Sequence, residues 1–119
     1  MARIIDQIAA GFVILLGFVH LAVGHQSFAN PTERGVWFLS AGFLLILIGL
    51  TNLTRARAAV RSGLQSLAAL VGALFILIMA GLMIAASDPG MLFEPATLAL
   101  VGVGLMLAGF SLRDLLRRS

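Results

Sequence analysis

The chain has 119 residues, of which 61% are hydrophobic and only 11% are charged, and its mean hydropathy is +1.08. A soluble domain carries about 25% charged residues, so this composition excludes a soluble globular protein and favours a chain that lies in lipid. Cysteine is absent, which excludes disulfides, thiol catalysis and cysteine-ligated metals. The remaining functions are those that an apolar membrane protein can perform without sulfur redox chemistry.

Four long apolar runs follow one another along the chain. They cover about residues 4–24, 35–53, 64–86 and 91–112, and each has close to the roughly 20 residues that a helix needs to cross a bilayer. Because the connecting loops are short, consecutive helices are expected to be antiparallel neighbours. The sequence therefore predicts an all-α fold, an antiparallel four-helix integral membrane bundle, with residues 1–119 forming a single transmembrane domain.

Proline marks the breaks between the helices of each hairpin. The first turn is predicted at residues 30–31 and the second at residues 88–90, where Asn or Asp precedes a proline that cannot donate a backbone N–H. Thr32 or Asn30 is a candidate N-cap of the second helix. Pro95 offers a second possible start for the fourth helix, since proline suits a first helical turn.

The arginines predict the orientation of the chain. Seven of the eight fall at the N-terminus, in the loop after the second run or at the C-terminus, and only Arg34 falls on the other side. This asymmetry predicts both termini in the cytoplasm (N-in/C-in). All eight basic residues are arginine, a usage found in arginine-rich bacterial genomes, so the expected location is the bacterial inner, or plasma, membrane. Arginines near the membrane surface also attract anionic lipid headgroups. We therefore expect membrane lipids as partners, in contact with six residues: Arg55, Arg57, Arg61, Arg113, Arg117 and Arg118.

Small residues recur every seven positions within each run, which we call seven-residue rows. Lipid tails are as apolar as leucine, so the hydrophobic effect does not drive helices together inside a membrane. Helices associate there through close backbone contact at small residues. A seven-residue spacing keeps one face of a helix toward its neighbour. The rows predict these helix-packing positions: Gly17, Gly24, Gly42, Gly49, Ala73, Ala80, Gly102 and Gly109.

His20 is the one ionisable residue expected within the apolar part of a helix, about one turn before the end of the first run. Such a residue is a candidate functional group, and Trp37 and Ser40 at the start of the second run complete a candidate ligand site. In the alternative interpretation His20 hydrogen-bonds Ser40 or a backbone carbonyl, and Trp37 is an interfacial anchor. His25 cannot share a metal with His20, because five positions turn the two side chains about 140° apart.

Enzyme chemistry and cofactors are not indicated. All five acids lie near the ends of the runs, so we expect no buried carboxylate, no catalytic residues and no metal site. A proton-coupled small multidrug transporter would need a carboxylate buried in the first helix, where only Asp6 occurs, at its edge. A haem would need His20 from two subunits of a symmetric dimer. No cofactor is therefore expected.

The first hairpin carries a further pattern: His20 and Gly24, then Trp37-Phe38, Gly42, Gly49 and Asn52. This pattern resembles uncharacterised small bacterial four-helix integral membrane proteins of unknown function. The resemblance implies the architecture and no activity. Asn52 and Thr51 are expected to make hydrogen bonds between helices.

Two functions are compatible with these features of the sequence. The first is a non-enzymatic accessory or interaction protein that packs with itself, with a larger membrane partner or with lipid. The second is a small-ligand protein that binds a lipid, a quinone or haem near His20 and Trp37, and a small transporter is a weaker third. No nucleic-acid partner is expected, because no soluble domain is predicted to present a groove.

Overall fold

A computed structural model describes residues 1–27, 30, 32–60, 62–86, 90 and 94–117. Within those residues the fold is all-α, with four helices: α1 (Ala2–Ser27), α2 (Glu33–Arg57), α3 (Gly63–Ala86) and α4 (Pro95–Leu116). Each helix is long and apolar enough to cross a membrane. The predicted all-α fold with four candidate membrane spans is thereby confirmed.

The helix ends differ from the limits of the apolar runs. α2 extends to Arg57, beyond its run, while α4 begins at Pro95 and not at residue 91. Proline occupies the first helical turn of α4, where its missing N–H would have no partner in any case. Thr32 is the N-cap of α2, because its Oγ1 accepts a hydrogen bond from the Gly35 N–H at 3.0 Å. Pro31, Asp88 and Pro89 of the predicted turns lie outside the described residues.

The helices contact one another most extensively as two pairs, α1 with α2 and α3 with α4. Glycines permit the close approach within the first pair. A Cβ atom added to Gly17 would lie 2.6 Å from Ile46 Cγ1 and 2.8 Å from the Gly42 carbonyl oxygen, and one added to Gly24 would meet Phe38 at 2.9 Å. The seven-residue rows of α1 and α2 therefore face each other; the sequence predicted that each row faces a partner helix, without saying which one.

The row predicted for α4 was wrong. Gly102 and Gly109 are exposed, with open space where a Cβ would be. Gly104 instead faces α3, and a Cβ added there would lie 2.9 Å from Leu77 Cδ2. Two positions along a helix correspond to a rotation of about 200°, so choosing Gly102 instead of Gly104 assigned nearly the opposite face of α4. The α3 positions Ala73 and Ala80 are buried, as predicted.

The two helix pairs meet along an interface that we call the seam. Its middle is filled by a hydrophobic core that includes Val13, Ile48, Ile76 and Leu107, each almost fully buried. Fewer contacts join the two pairs than join the helices within a pair. Because the two pairs contact each other less closely, the seam has room for polar side chains and for a cavity.

Arg3 fastens the beginning of α1 to the end of α2. Its guanidinium donates hydrogen bonds to the carbonyl oxygens of Ala56, Arg57 and Ala58, at 2.8, 3.1 and 3.0 Å. The last carbonyls of a helix have no partner within the helix, and a cation at this end also complements the helix dipole. Arg3 thus stabilises the C-terminus of α2 and aligns α1 against it.

Candidate functional site

A cavity of about 360 Å³ lies in the seam beside His20, and we call it the His20 cavity. All four helices contribute to its lining, which is apolar apart from the imidazole of His20 and the hydroxyl of Thr97. The lining includes Leu16 and His20 of α1, Phe38 and Leu45 of α2, Ile76 and Met79 of α3, and Thr97 and Leu100 of α4.

The imidazole of His20 is held against α2 inside this apolar lining. It stacks on the ring of Phe38 with the centroids 3.8 Å apart and the planes 13° from parallel, and a ring N–H lies within hydrogen-bonding reach of the Phe38 backbone. The Nε2 atom is buried without a hydrogen-bond partner among the described residues. Because an unpaired buried polar group costs about 1–3 kcal/mol, this nitrogen is suited to pair with a polar group brought by a guest molecule.

The residues predicted to accompany His20 lie elsewhere. Trp37 is 70% exposed, and Ser40 donates its hydroxyl proton to the Val36 carbonyl of its own helix at 2.8 Å. Neither residue lines the cavity. The structure therefore groups His20 with Phe38, the immediate neighbour of Trp37, and not with Trp37 or Ser40. His25 is exposed in the last turn of α1.

The opposite end of the seam holds a buried polar network, which we call the Arg55 cluster; its members are Asp6, Asn52, Arg55, Ser111 and Asp114. Arg55 is only 3% exposed, and the two carboxylates are 1% and 2% exposed. Its Nη2 donates to Asp6 Oδ1 and its Nη1 to Asp114 Oδ2, both at 2.6 Å. One guanidinium of α2 thereby links α1 and α4.

Asn52 extends the Arg55 cluster across the seam. Its Oδ1 accepts a hydrogen bond from Ser111 Oγ of α4 at 3.2 Å, and its Nδ2 approaches the Ala69 carbonyl of α3 at 3.5 Å. The prediction that Asn52 bonds between helices is confirmed. It is wrong for Thr51, whose hydroxyl donates to the Leu47 carbonyl of the same helix.

The buried charges are not fully neutralised by Arg55, since two carboxylates face one guanidinium. Arg113 supplies the second positive charge, because its Nη2 lies 3.2 Å from Asp114 Oδ1. The guanidinium of Arg113 also lies over the Phe110 ring, 5.1 Å from its centroid, a cation–π contact that orients it. The arrangement of two acids and two arginines makes this end electrically balanced.

The Arg55 cluster corrects two expectations from the sequence. Buried carboxylates are present, although the acids were expected only near the surface, and Arg55 is inside the bundle and not in contact with lipid headgroups. Arg57 and Arg117 are exposed and Arg113 is partly exposed, so these three retain the predicted access to lipid. Arg61 and Arg118 lie outside the described residues.

Signals for the cluster were present in the sequence. Asp6 precedes Ala10 by four positions and therefore shares its inward face, and Ser111 and Asp114 are three positions apart on one face of α4. Arg55 was assigned to the same side of the membrane as both acids. Pairing these opposite charges across helices would have identified the cluster. Within the described ranges, no three His, Cys, Asp or Glu side chains stand close enough to hold a metal ion.

The chain matches no known protein family, no curated protein and no solved structure. Function is therefore inferred from the geometry of the His20 cavity and the Arg55 cluster.

Proposed function

We propose that the chain is a non-enzymatic integral membrane protein that binds a small apolar molecule with a hydrogen-bonding head group in the His20 cavity. The observation that carries this proposal is the buried, unpartnered Nε2 of His20 in the lining of an apolar cavity of about 360 Å³. Small-molecule sites are typically apolar clefts of roughly 300–1,000 Å³ with a few polar groups that fix orientation. A guest that hydrogen-bonds Nε2 removes the cost of burying that nitrogen.

A quinone or a lipid suits this cavity better than haem. Because the neutral imidazole gives its one N–H to the Phe38 backbone, its Nε2 can only accept a hydrogen bond. A quinone in its reduced, quinol form and a lipid each offer a hydroxyl that donates to Nε2, while the rest of either molecule is apolar. Haem iron commonly takes a histidine on each side in four-helix cytochromes, and the other histidine, His25, is exposed on the surface of α1. Quinones and lipids also reach such a site by diffusion within the bilayer.

The proposed setting is an antiparallel bundle in the bacterial inner membrane with both termini in the cytoplasm. Contacts between α1 and α2 occur in reverse order along the two helices, with Gly24 near Phe38, Gly17 near Gly42 and Ile14 near Gly49, which supports antiparallel pairing. The arginine distribution supports the orientation. In this setting the Arg55 cluster lies near the cytoplasmic surface, and Arg57 and Arg117 contact anionic lipid headgroups.

A second candidate function is that of an accessory protein that packs with a larger membrane partner or with a second copy. The outward glycines of α4, Gly102 and Gly109, favour it, because their exposed backbone permits close approach of another helix. Replacing both with leucine is expected to abolish such an association, measured as subunit composition by native mass spectrometry. An unchanged composition would argue against this surface.

The ligand proposal is tested by equilibrium binding of decylubiquinol, kept reduced under argon, to the purified protein in nanodiscs. We expect saturable binding that weakens about two- to tenfold in His20→Leu, since one hydrogen bond contributes about 0.5–1.5 kcal/mol. His25→Leu is the matched control, because this exposed histidine lies on the same helix, and it should bind like the wild type. Decylbenzene, which lacks hydroxyls, should bind the wild type and His20→Leu equally.

The same experiment can contradict the proposal. If neither decylubiquinol nor a native lipid of the nanodisc binds saturably, the cavity is not a ligand site. If both histidine variants bind decylubiquinol with wild-type affinity, His20 is not the polar contact.

A further inference from the structure

Two buried polar atoms near the Arg55 cluster have no hydrogen-bond partner among the described residues: Nε of Arg55 and Oγ of Ser66. Ser66 is only 1% exposed and belongs to α3. The Nη atoms of Arg55 already donate to Asp6 and Asp114. Because buried polar groups in native proteins are almost always paired, these two atoms call for a partner that the side chains do not provide.

The contacts between α2 and α3 place the two atoms at the same level of the bundle. A Cβ added to Gly72 would lie 3.2 Å or less from Ile48, and Asn52 Nδ2 reaches the Ala69 carbonyl. Ile48 of α2 therefore lies opposite Gly72 of α3, and Asn52 lies opposite Ala69. Three residues further along α2 and three residues back along α3, Arg55 comes opposite Ser66.

The chemistry of the two atoms limits what can join them. Nε–H of Arg55 can only donate, whereas the Ser66 hydroxyl can donate or accept. An anion is disfavoured, because the carboxylates of Asp6 and Asp114 lie against the same guanidinium. A cation is disfavoured by the Nε–H group itself. The remaining choice is a small neutral molecule that both accepts and donates hydrogen bonds, and water is the smallest of these.

We propose that a single buried water bridges Arg55 Nε and Ser66 Oγ and thereby attaches α3 to the Arg55 cluster. Among the described side-chain bonds of the cluster, α3 is reached only through the 3.5 Å contact of Asn52 with Ala69. The bridge makes the cluster a polar network that includes a side chain from each of the four helices. This inference is independent of the ligand proposed for the His20 cavity.

The test depends on the sign of a stability change in the full-length protein. Ser66→Ala removes one partner of the water and leaves Arg55 Nε poorly paired, so the bridge predicts that Tm in detergent falls by about 4 °C or more. Were the hydroxyl an unpaired buried group, its removal would relieve a desolvation cost and Tm would rise. A higher or unchanged Tm therefore overturns the proposal.

Ser40→Ala is the matched control, since among the described residues the Ser40 hydroxyl bonds only to the Val36 carbonyl of its own helix, and its Tm should stay close to the wild-type value. A high-resolution density map of the wild type provides a second measurement. It should contain a water within hydrogen-bonding distance of Arg55 Nε and Ser66 Oγ, and that water should be lost or displaced in Ser66→Ala. Direct contact between the two side chains in that map would overturn the proposal.

Discussion

The His20 cavity and the Arg55 cluster occupy the two ends of one seam, and they differ in whether their buried polar groups are paired. Asp6 and His20 are both on α1, about 21 Å apart at 1.5 Å per residue. At the Arg55 end, polar side chains pair with one another at distances as short as 2.6 Å. At the His20 end, one polar nitrogen has no hydrogen-bond partner among the described residues and lies in the apolar lining of the cavity.

The difference indicates a structural role for the Arg55 cluster and supports the proposed binding role of the His20 cavity. Charges in a low-dielectric interior are tolerated only when they are paired and hydrogen-bonded, so the Arg55 cluster fixes the relative positions of α1, α2 and α4. A guest molecule that hydrogen-bonds an unpaired group next to a cavity removes the free-energy cost of burying that group, and this favours binding. In the proposed function, the protein combines a closed end that specifies the bundle with an end that accepts a ligand.

The largest expected effect comes from Arg55→Met, which would remove the cation shared by the buried carboxylates of Asp6 and Asp114, while Arg113 would still pair with Asp114. Removing one partner of a buried ion pair costs about 3–5 kcal/mol, so we expect a severe loss of stability, measured by denaturant unfolding in detergent. Arg57→Met is the control, since Arg57 is exposed, and should be nearly neutral.

A compensated variant sharpens the same prediction. Adding Asp6→Asn to Arg55→Met removes the carboxylate that would lose its salt bridge and should recover a large part of the lost stability. If the single and double variants are equally unstable, loss of side-chain shape and not of charge pairing explains the effect.

The next largest effect is expected for Gly17→Ala, which tests the close contact of α1 with α2 between the two ends. The added Cβ would meet the backbone of Gly42 and Ile46 at 2.8–2.9 Å, and overpacking of this kind costs about 1–3 kcal/mol. Gly109→Ala is the matched control, because nothing lies within 4 Å of its added Cβ. Equal unfolding free energies for the two variants would contradict the pairing of α1 and α2.

His20→Leu is expected to act in the direction opposite to Arg55→Met. Replacing an unpaired buried nitrogen with an apolar side chain should raise the stability of the ligand-free protein by about 1 kcal/mol, measured as the unfolding free energy after ligand has been stripped. A loss of stability under these conditions would contradict this expectation and show that the contacts of the ring with Phe38 outweigh the cost of the unpaired Nε2.

The smallest effect is expected for Ser111→Ala, which removes the 3.2 Å hydrogen bond to Asn52 Oδ1. Because Asn52 Oδ1 also lies 3.4 Å from Arg55 Nη2, the cost should be near 1 kcal/mol. Thr51→Ala removes only a bond to its own helix and should cost less. A larger loss for Thr51→Ala would contradict the greater importance of bonds between helices.

Sequence reasoning succeeded where the physical signal is local or averaged over a whole helix. Four spans follow from apolar runs of sufficient length, and the Thr32 cap follows from residue type next to a helix start. The rows of α1 and α2 could be identified because glycine at Gly17 and Gly42 serves one purpose, close backbone approach. In α4 three glycines occur within eight positions, so composition alone could not select the inward one.

The four helices and much of the α1–α2 interface follow from the amino-acid sequence alone. These depend on the length and hydropathy of each apolar run and on the spacing of small residues within it, which are properties of one segment at a time. The tertiary structure decided which charges are buried and where space remains. Asp6, Arg55 and Asp114 are distant in sequence, and a carboxylate near a helix end is stable either in water or against a guanidinium. Only the packing of α1, α2 and α4 against one another selects the second environment, and the looser contact between the two helix pairs opens the cavity beside His20.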